Sequence, residues 1–121
     1  MKAALAALAL SLAATVPAHA FGVLGMGQQQ CREYLSYSQK RDGDHAAAIV
    51  QYTYGYLTAW NALATRTKQP QITTSFDSHT ILGYYDAFCS QYPLEPIHKG
   101  AEFIVQAVLQ KQGTPLRADR P

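Results

Sequence analysis

The stretch HAAAIVQYTYGYLTAWNALATR, residues 45–66, is the longest segment of the chain with helical spacing. Its large apolar side chains recur every three or four positions: Ile49, Tyr52, Tyr56, Trp60 and Leu63. That spacing places them on one face of an α-helix. We therefore predict one long helix whose apolar stripe packs against the rest of the domain.

Gly55, in the middle of this segment, allows a second interpretation. Glycine destabilises a helix interior by about 1 kcal/mol relative to alanine, so its presence requires a reason. Because Gly55 and Ala59 are four positions apart, a second helix would be able to approach closely at this point. Alternatively, Gly55 separates two β-strands, since tyrosine and threonine favour strands. We prefer the helix, which assigns Tyr52, Gly55, Tyr56 and Trp60 to packing. Phe88, in the later segment 79–90, is also predicted to pack inward.

Three further segments with helical spacing flank the long one. They are residues 28–38, residues 79–90 and a segment that follows Pro96. The last of them has an amphipathic face composed of Ile97, Ala101, Ile104, Val105, Val108 and Leu109. Since all four segments favour helix, the sequence predicts an all-α, four-helix fold.

The boundaries of the domain follow from glycine and proline. Gly113 and Pro115 end the last helix, because neither residue continues a helix well. We predict a helical domain over residues 28–113, preceded by a flexible, glycine-rich lead-in at 21–27. Residues 114–121 are predicted to be a disordered tail.

Acidic residues precede two of the predicted helices. Asp42 or Asp44 is in position to cap the long helix, and Asp77 or Ser78 is in position to cap the next one. A carboxylate at such a position accepts a backbone N–H and interacts favourably with the helix dipole. Acid would protonate it, so we predict that Asp42, Asp44 and Asp77 are acid-sensitive caps.

The first twenty residues have the organisation of an export signal. Lys2 is followed by an apolar run over residues 3–16, and residues 18–20 read Ala-His-Ala, which a signal peptidase recognises. We therefore predict a signal peptide at 1–20 and a periplasmic or secreted mature chain. The apolar run is too short to span a membrane. The alternative, an N-terminal core helix, fits less well because Pro17 interrupts it.

The chain has two cysteines, Cys31 and Cys89, which are 58 positions apart. In an exported chain of this size, such a pair forms a structural disulfide far more often than a redox or metal site. We predict this bond, which would join the first predicted helix to the third.

The charge of the mature chain excludes some classes of partner. Without Lys2 it carries nine basic and eight acidic side chains. Binding to nucleic acid requires a basic surplus for the phosphates. We therefore predict no nucleic-acid partner.

No catalytic or cofactor motif stands out. Asp77 and His79 do not adjoin a nucleophile elbow. His98 and Glu102 could bind a metal together, but no third ligand lies at a recognisable spacing. Residues 42–44 resemble the start of a calcium-binding loop, but no glutamate follows at the distance that such a loop requires. We predict that the chain is not an enzyme and holds no cofactor or metal.

The eight tyrosines indicate protein binding. Tyr54 points away from the predicted apolar stripe, and Tyr84 and Tyr85 are adjacent. Tyrosine offers a large contact area with a polar tip, which suits a protein–protein surface. We predict that Tyr54 and one of Tyr84 and Tyr85 contact a partner protein, although a tyrosine-rich core is an alternative explanation.

Four blocks in order, CREYL, YGYLTAWN, SFDSHTILGYYDAFC and PLEPIHKGAEFIVQAVL, resemble the HdeA/HdeB family of small periplasmic acid-stress proteins. The similarity covers residues 28–112. It implies a homodimer near neutral pH that opens in acid and holds unfolding client proteins. In this chain, protonation of the carboxylates and of three histidines would produce a strong positive charge, which loosens packing.

The same chain also resembles the periplasmic immunity proteins that neutralise amidase toxins of type VI secretion. The Gly-Tyr central helix and the closing helix carry this second resemblance. It implies that a loop blocks the active site of the toxin. Residues 67–76 or the Tyr54 face would then be the contact. From the sequence we prefer the HdeA/HdeB-like acid-stress chaperone and keep the immunity protein as the alternative.

Overall fold

Four α-helices make up most of the structure, a computed structural model that describes residues 25–39 and 43–113. They are α1 (Cys31–Gln39), α2 (Gly43–Thr67), α3 (Ser78–Gln91) and α4 (Ile97–Lys111). The predicted all-α, four-helix fold is therefore confirmed. The predicted signal peptide, Asp42 and the predicted tail lie outside the described residues.

Helix α2 continues through Gly55 without a break, so the alternative of two strands is wrong. Its buried residues are Ile49, Val50, Thr53, Leu57 and Ala64. The buried face is thus rotated from the predicted stripe, and Leu63 is 56% exposed. The rotation is possible because Thr53, although polar, has its hydroxyl bonded to the carbonyl of Ile49 at 2.8 Å.

Helix α4 has the most continuous buried face of the four helices. All six residues of its predicted amphipathic face are buried. Gly100 lies on this face, where a Cβ atom would be only 2.6 Å from Cε1 of Tyr85. The missing side chain therefore allows α4 to pack closely against α3.

The first turn of α1 is capped by the turn between α3 and α4. The amides of Cys31 and Arg32 donate to the carbonyls of Glu95 and Pro93, each at 2.8 Å. These donors have no partner within their own helix, so the turn satisfies them.

A short 3-10 helix, Gly25–Gln28, precedes α1. The described part of the predicted lead-in is thus a regular turn with Gly27 buried.

The predicted disulfide is present. Cys31 and Cys89 are bonded, with a Cα–Cα distance of 4.9 Å. Both residues are fully buried. The bond joins the start of α1 to the end of α3 inside the core.

Of the predicted helix caps that the structure describes, one is present and one is not. Asp77 is the N-cap of α3, and its Oδ1 accepts the amide of Thr80 at 2.8 Å. This hydrogen bond holds the pKa of Asp77 below its ordinary value. Asp44 is not a cap, because α2 begins at Gly43 and Asp44 lies inside the first turn.

Candidate functional site: a braced connector beside an apolar helix face

Residues 68–77 connect α2 to α3 without regular secondary structure. An irregular segment of this length is often mobile or functional. Here side chains of α2 and of Gln112, at the end of α4, bind its backbone from both sides.

Gln112 braces the middle of the connector. Its Oε1 accepts the amides of Thr73 and Thr74, at 3.1 and 3.2 Å, and the hydroxyl of Thr74 at 3.0 Å. Its Nε2 donates to the carbonyl of Gln71 at 3.1 Å. One side chain therefore holds three connector residues, Gln71, Thr73 and Thr74.

The α2 side of the connector is held in the same way. Asn61 donates to the carbonyl of Ile72 at 2.9 Å and accepts its amide at 2.8 Å. Nε1 of Trp60 donates to the carbonyl of Pro70 at 3.3 Å. Because Ile72 is also buried in the core, the connector is anchored by both polar and apolar contacts.

Tyr54 belongs to this brace. We predicted it at a partner surface, but it is half-buried, and its hydroxyl donates to the carbonyl of Phe76 at 2.9 Å. Its polar tip is therefore used within the chain. In this structure Tyr54 shapes the connector instead of offering a free surface.

The connector forms a ridge between two grooves. One groove, of about 250 Å³, lies between the connector and α2. The other, of about 340 Å³, lies between the connector and the residues of α3 and α4. Thr74, Ser75 and Phe76 border both grooves. We call residues 73–76 the ridge; Thr73, Thr74 and Ser75 in it are exposed.

An apolar surface on α2 lies next to the connector. It surrounds a depression of about 320 Å³ and consists of Tyr56, Ala59, Trp60 and Leu63, which we call the α2 apolar face. Trp60 joins this face to the connector through its bond to Pro70. Burial and then the nearby carboxylate of Glu102 raise the pKa of Tyr56 to about 12.

Four of the five predicted packing residues behave as expected. Tyr52, Tyr56 and Trp60 are half-buried and pack on the core, and Phe88 is buried within it. Gly55 does not, because a Cβ atom at this position would meet nothing within 4 Å. The prediction that another helix approaches α2 at Gly55 is therefore wrong.

The adjacent tyrosines of α3 differ in burial. Tyr85 is fully buried, so it is not the member of the pair that contacts a partner. Its hydroxyl lies 2.8 Å from that of Thr53, and burial raises its pKa. Tyr84 is half-buried and accepts a hydrogen bond from Nζ of Lys111 at 3.0 Å. Helical geometry explains the difference, because Tyr85 shares the buried face of Ile81.

A polar cleft of about 290 Å³ lies between α1, α2 and α3. His45, His79 and Asp86 border it. The carboxylate of Asp86 accepts the hydroxyl of Tyr34 at 2.7 Å, and burial, together with this bond, raises the pKa of that tyrosine. Within residues 25–39 and 43–113, no group of three or more His, Cys, Asp or Glu side chains is placed to hold a metal ion.

The pairs considered in the sequence have other partners. Nδ1 of His98 lies 3.1 Å from the carbonyl of Gly27, whereas Oε2 of Glu102 accepts Nζ of Lys99 at 3.0 Å. The carboxylate of Asp77 accepts the amide of Thr80. Neither His98 with Glu102 nor Asp77 with His79 therefore forms a shared binding site in the structure.

Two residues of the site, Asn61 and Gln112, were not identified from the sequence. Asn61 gives a weak signal, because a polar side chain within an otherwise apolar helix requires a hydrogen-bond partner. Gln112 gives none. It lies 39 positions from Thr73, and only folding brings the two residues together.

Within the part of the chain that the structure describes, no helix is long and apolar enough to cross a membrane. Comparison of the chain with protein-family models, with curated proteins and with solved structures found no match.

Proposed function

We propose that the chain is an exported inhibitor that binds a partner protein while folded and blocks its active site with the ridge. The observation that carries this proposal is the bracing of an exposed, irregular segment from both sides. A loop held in its bound shape loses little entropy on binding, which increases affinity. This is the function implied by the resemblance to periplasmic immunity proteins.

The chemistry of the ridge fits a polar active-site cleft. Thr73, Thr74 and Ser75 are exposed. The hydroxyls of Thr73 and Ser75 can donate and accept hydrogen bonds, whereas that of Thr74 donates to Gln112 and can only accept from a partner. The α2 apolar face would then pack against the rim of the cleft, where apolar contact excludes water. The proposed partner is an amidase-type toxin that acts outside the cytoplasm.

Few contacts in the structure would be lost in acid. This supports a function of the folded chain over a function of an acid-opened state. Within the described residues, the only ion pair is Lys99–Glu102, and both side chains are exposed. An exposed pair contributes little to stability. The core is apolar and crosslinked, so acid removes little of what holds the bundle together.

A complex with the toxin tests the proposal directly. The mature chain should form a tight complex at neutral pH with the product of a neighbouring toxin gene and should inhibit its cleavage of peptidoglycan. Ser75→Arg adds bulk to the exposed ridge and should weaken the complex by tenfold or more, about 1.4 kcal/mol. Ser90→Arg, at an exposed position of α3, is the matched control.

Two results would contradict this function. One is a genome without an exported toxin gene beside this one. The other is a complex that Ser75→Arg and Ser90→Arg weaken equally, with both variants folded, because the ridge would then not be the contact.

The HdeA/HdeB-like function is the second candidate. It is favoured by Leu63, an exposed apolar side chain, and by the carboxylate cap of α3, which acid would neutralise. In this case the mature chain should bind a hydrophobic dye and suppress client aggregation at about pH 2–3 and not at neutral pH. A chain that stays folded and binds no dye in acid would exclude this candidate.

A further inference from the structure

Four aromatic side chains of α3, α4 and the turn between them form a continuous strip. The ring of Tyr84 lies 6.2 Å from that of Phe103, which lies 5.5 Å from Phe88, and Phe88 lies 5.2 Å from Tyr92. Tyr92 and Phe103 are 47% and 38% exposed. We call these four residues the aromatic strip.

One end of the aromatic strip already holds a cation. Nζ of Lys111 lies 5.3 Å from the centre of the Tyr84 ring, a cation–π distance. The same ammonium group donates to the hydroxyl of Tyr84. The Tyr84 end of the strip is therefore occupied from within the chain.

The other end of the strip is open and acidic. Phe88, Tyr92 and Phe103 line a depression of about 420 Å³, together with Glu95 and Glu102. Glu102 is paired with Lys99, which also lines the depression. The carboxylate of Glu95 is exposed, and among the described residues it has no hydrogen bond or ion pair.

We propose that this depression binds an arginine side chain of a partner protein. A guanidinium group stacks on exposed aromatic rings, is weakly hydrated and donates to carboxylates in a planar fork. Two carboxylates against one ammonium group attract a cation and disfavour an acidic side chain. The proposal does not depend on the toxin-blocking function, because none of the ridge residues 73–76 lines this depression.

The first test uses a small probe in place of the partner. N-acetyl-arginine amide is titrated into the isotopically labelled mature chain and followed by NMR, with N-acetyl-citrulline amide as the neutral control. Arginine should cause saturable shifts at Tyr92, Glu95 and Phe103, and citrulline should not. No shifts at these residues, or equal shifts with citrulline, would overturn the proposal.

The second test compares two glutamates. Glu95→Gln should weaken binding of the arginine probe by about two- to fivefold, the range of a solvent-exposed ion pair. Glu33→Gln, at an exposed position of α1, is the matched control and should have no effect. The proposal fails if both variants bind the probe as tightly as the unaltered chain, or if both weaken it equally.

A second copy of the chain is the competing occupant. Tyr92→Leu removes the exposed ring but keeps an apolar side chain, and the association state is measured by analytical ultracentrifugation. The proposal expects the same association state with and without Tyr92→Leu. A dimer that Tyr92→Leu dissociates would assign the depression to self-association and overturn the proposal.

Discussion

At the scale of single residues, two glycines on helices have opposite roles. Gly100 faces the ring of Tyr85, and a Cβ atom would lie 2.6 Å and 2.8 Å from two ring carbons. Gly55 faces open space. The backbone is helical at both positions. The two glycines therefore differ only in what they face, since Gly100 is packed against α3 and Gly55 is not.

We therefore expect Gly100→Ala to destabilise the protein by about 1–3 kcal/mol through overpacking, since the ring that the new Cβ atom would meet is fully buried. Gly55→Ala should instead stabilise it by about 0.5–1 kcal/mol, because alanine is the better helix former. Urea unfolding of both variants measures these changes. A loss of stability in Gly55→Ala would reveal a close contact at this position after all.

Thr53 and Tyr85 form a buried polar pair. The hydroxyl of Thr53 donates to the carbonyl of Ile49, so the hydroxyl of Tyr85 is the donor to Thr53. Thr53→Val would leave a buried donor without an acceptor and should destabilise by about 1–3 kcal/mol. Tyr85→Phe removes that donor and should destabilise less. The double variant should resemble Tyr85→Phe, and additive losses in the double-mutant cycle would show that the two hydroxyls do not interact.

At the scale of the elements, the connector depends on Gln112. Gln112→Ala removes the acceptor of the Thr73 and Thr74 amides. Their hydrogen exchange should accelerate by about five- to tenfold, because a hydrogen bond contributes about 1 kcal/mol net. Gln110→Ala, at an exposed position of the same helix, is the control and should leave these amides unchanged. Equal exchange in both variants would show that other contacts hold the ridge.

Helix α3 has a cap whose contribution depends on pH. The pKa of Asp77 is lowered in the folded state, first by the amide of Thr80, so the ionised form stabilises the fold. Its contribution is present above the ordinary pKa of 3.8 and is lost as pH falls through the lower, folded value. Asp77→Ala should therefore lower the midpoint of thermal unfolding at neutral pH. The difference from the unaltered chain should vanish in strong acid, and a constant difference would contradict this cap.

At the scale of the whole molecule, the disulfide closes a loop that contains α1, α2 and most of α3. The bonded cysteines are 58 positions apart. A crosslink of that span restricts the unfolded chain and should stabilise the fold by about 4 kcal/mol. We expect Cys31→Ala combined with Cys89→Ala to lose about this much in chemical denaturation. An unchanged midpoint would show that the unfolded chain is compact without the bond.

Much of this architecture follows from local patterns. The spacing around Ile104 predicts α4 and its buried face. The two cysteines, in a chain whose first twenty residues predict export, predict the bond that the structure contains. The functional predictions were weaker. The sequence predicts Tyr54 and one of Tyr84 and Tyr85 at a partner surface, but the hydroxyls of Tyr54 and Tyr85 are both bonded within the chain. A tyrosine has both an apolar ring and a polar tip, so its type does not reveal which of them faces the core.

The sequence by itself determined the helices, their number and the disulfide, because helical periodicity and cysteine pairing are properties of the chain and its compartment. Only the tertiary structure decided which face of α2 is buried and that residues 73–76 form a braced ridge. The face is chosen by the fit between α2 and its neighbours, where Thr53 meets Tyr85. The ridge depends on contacts between distant positions, such as that of Gln112 with Thr74 across 38 positions, which no local pattern contains.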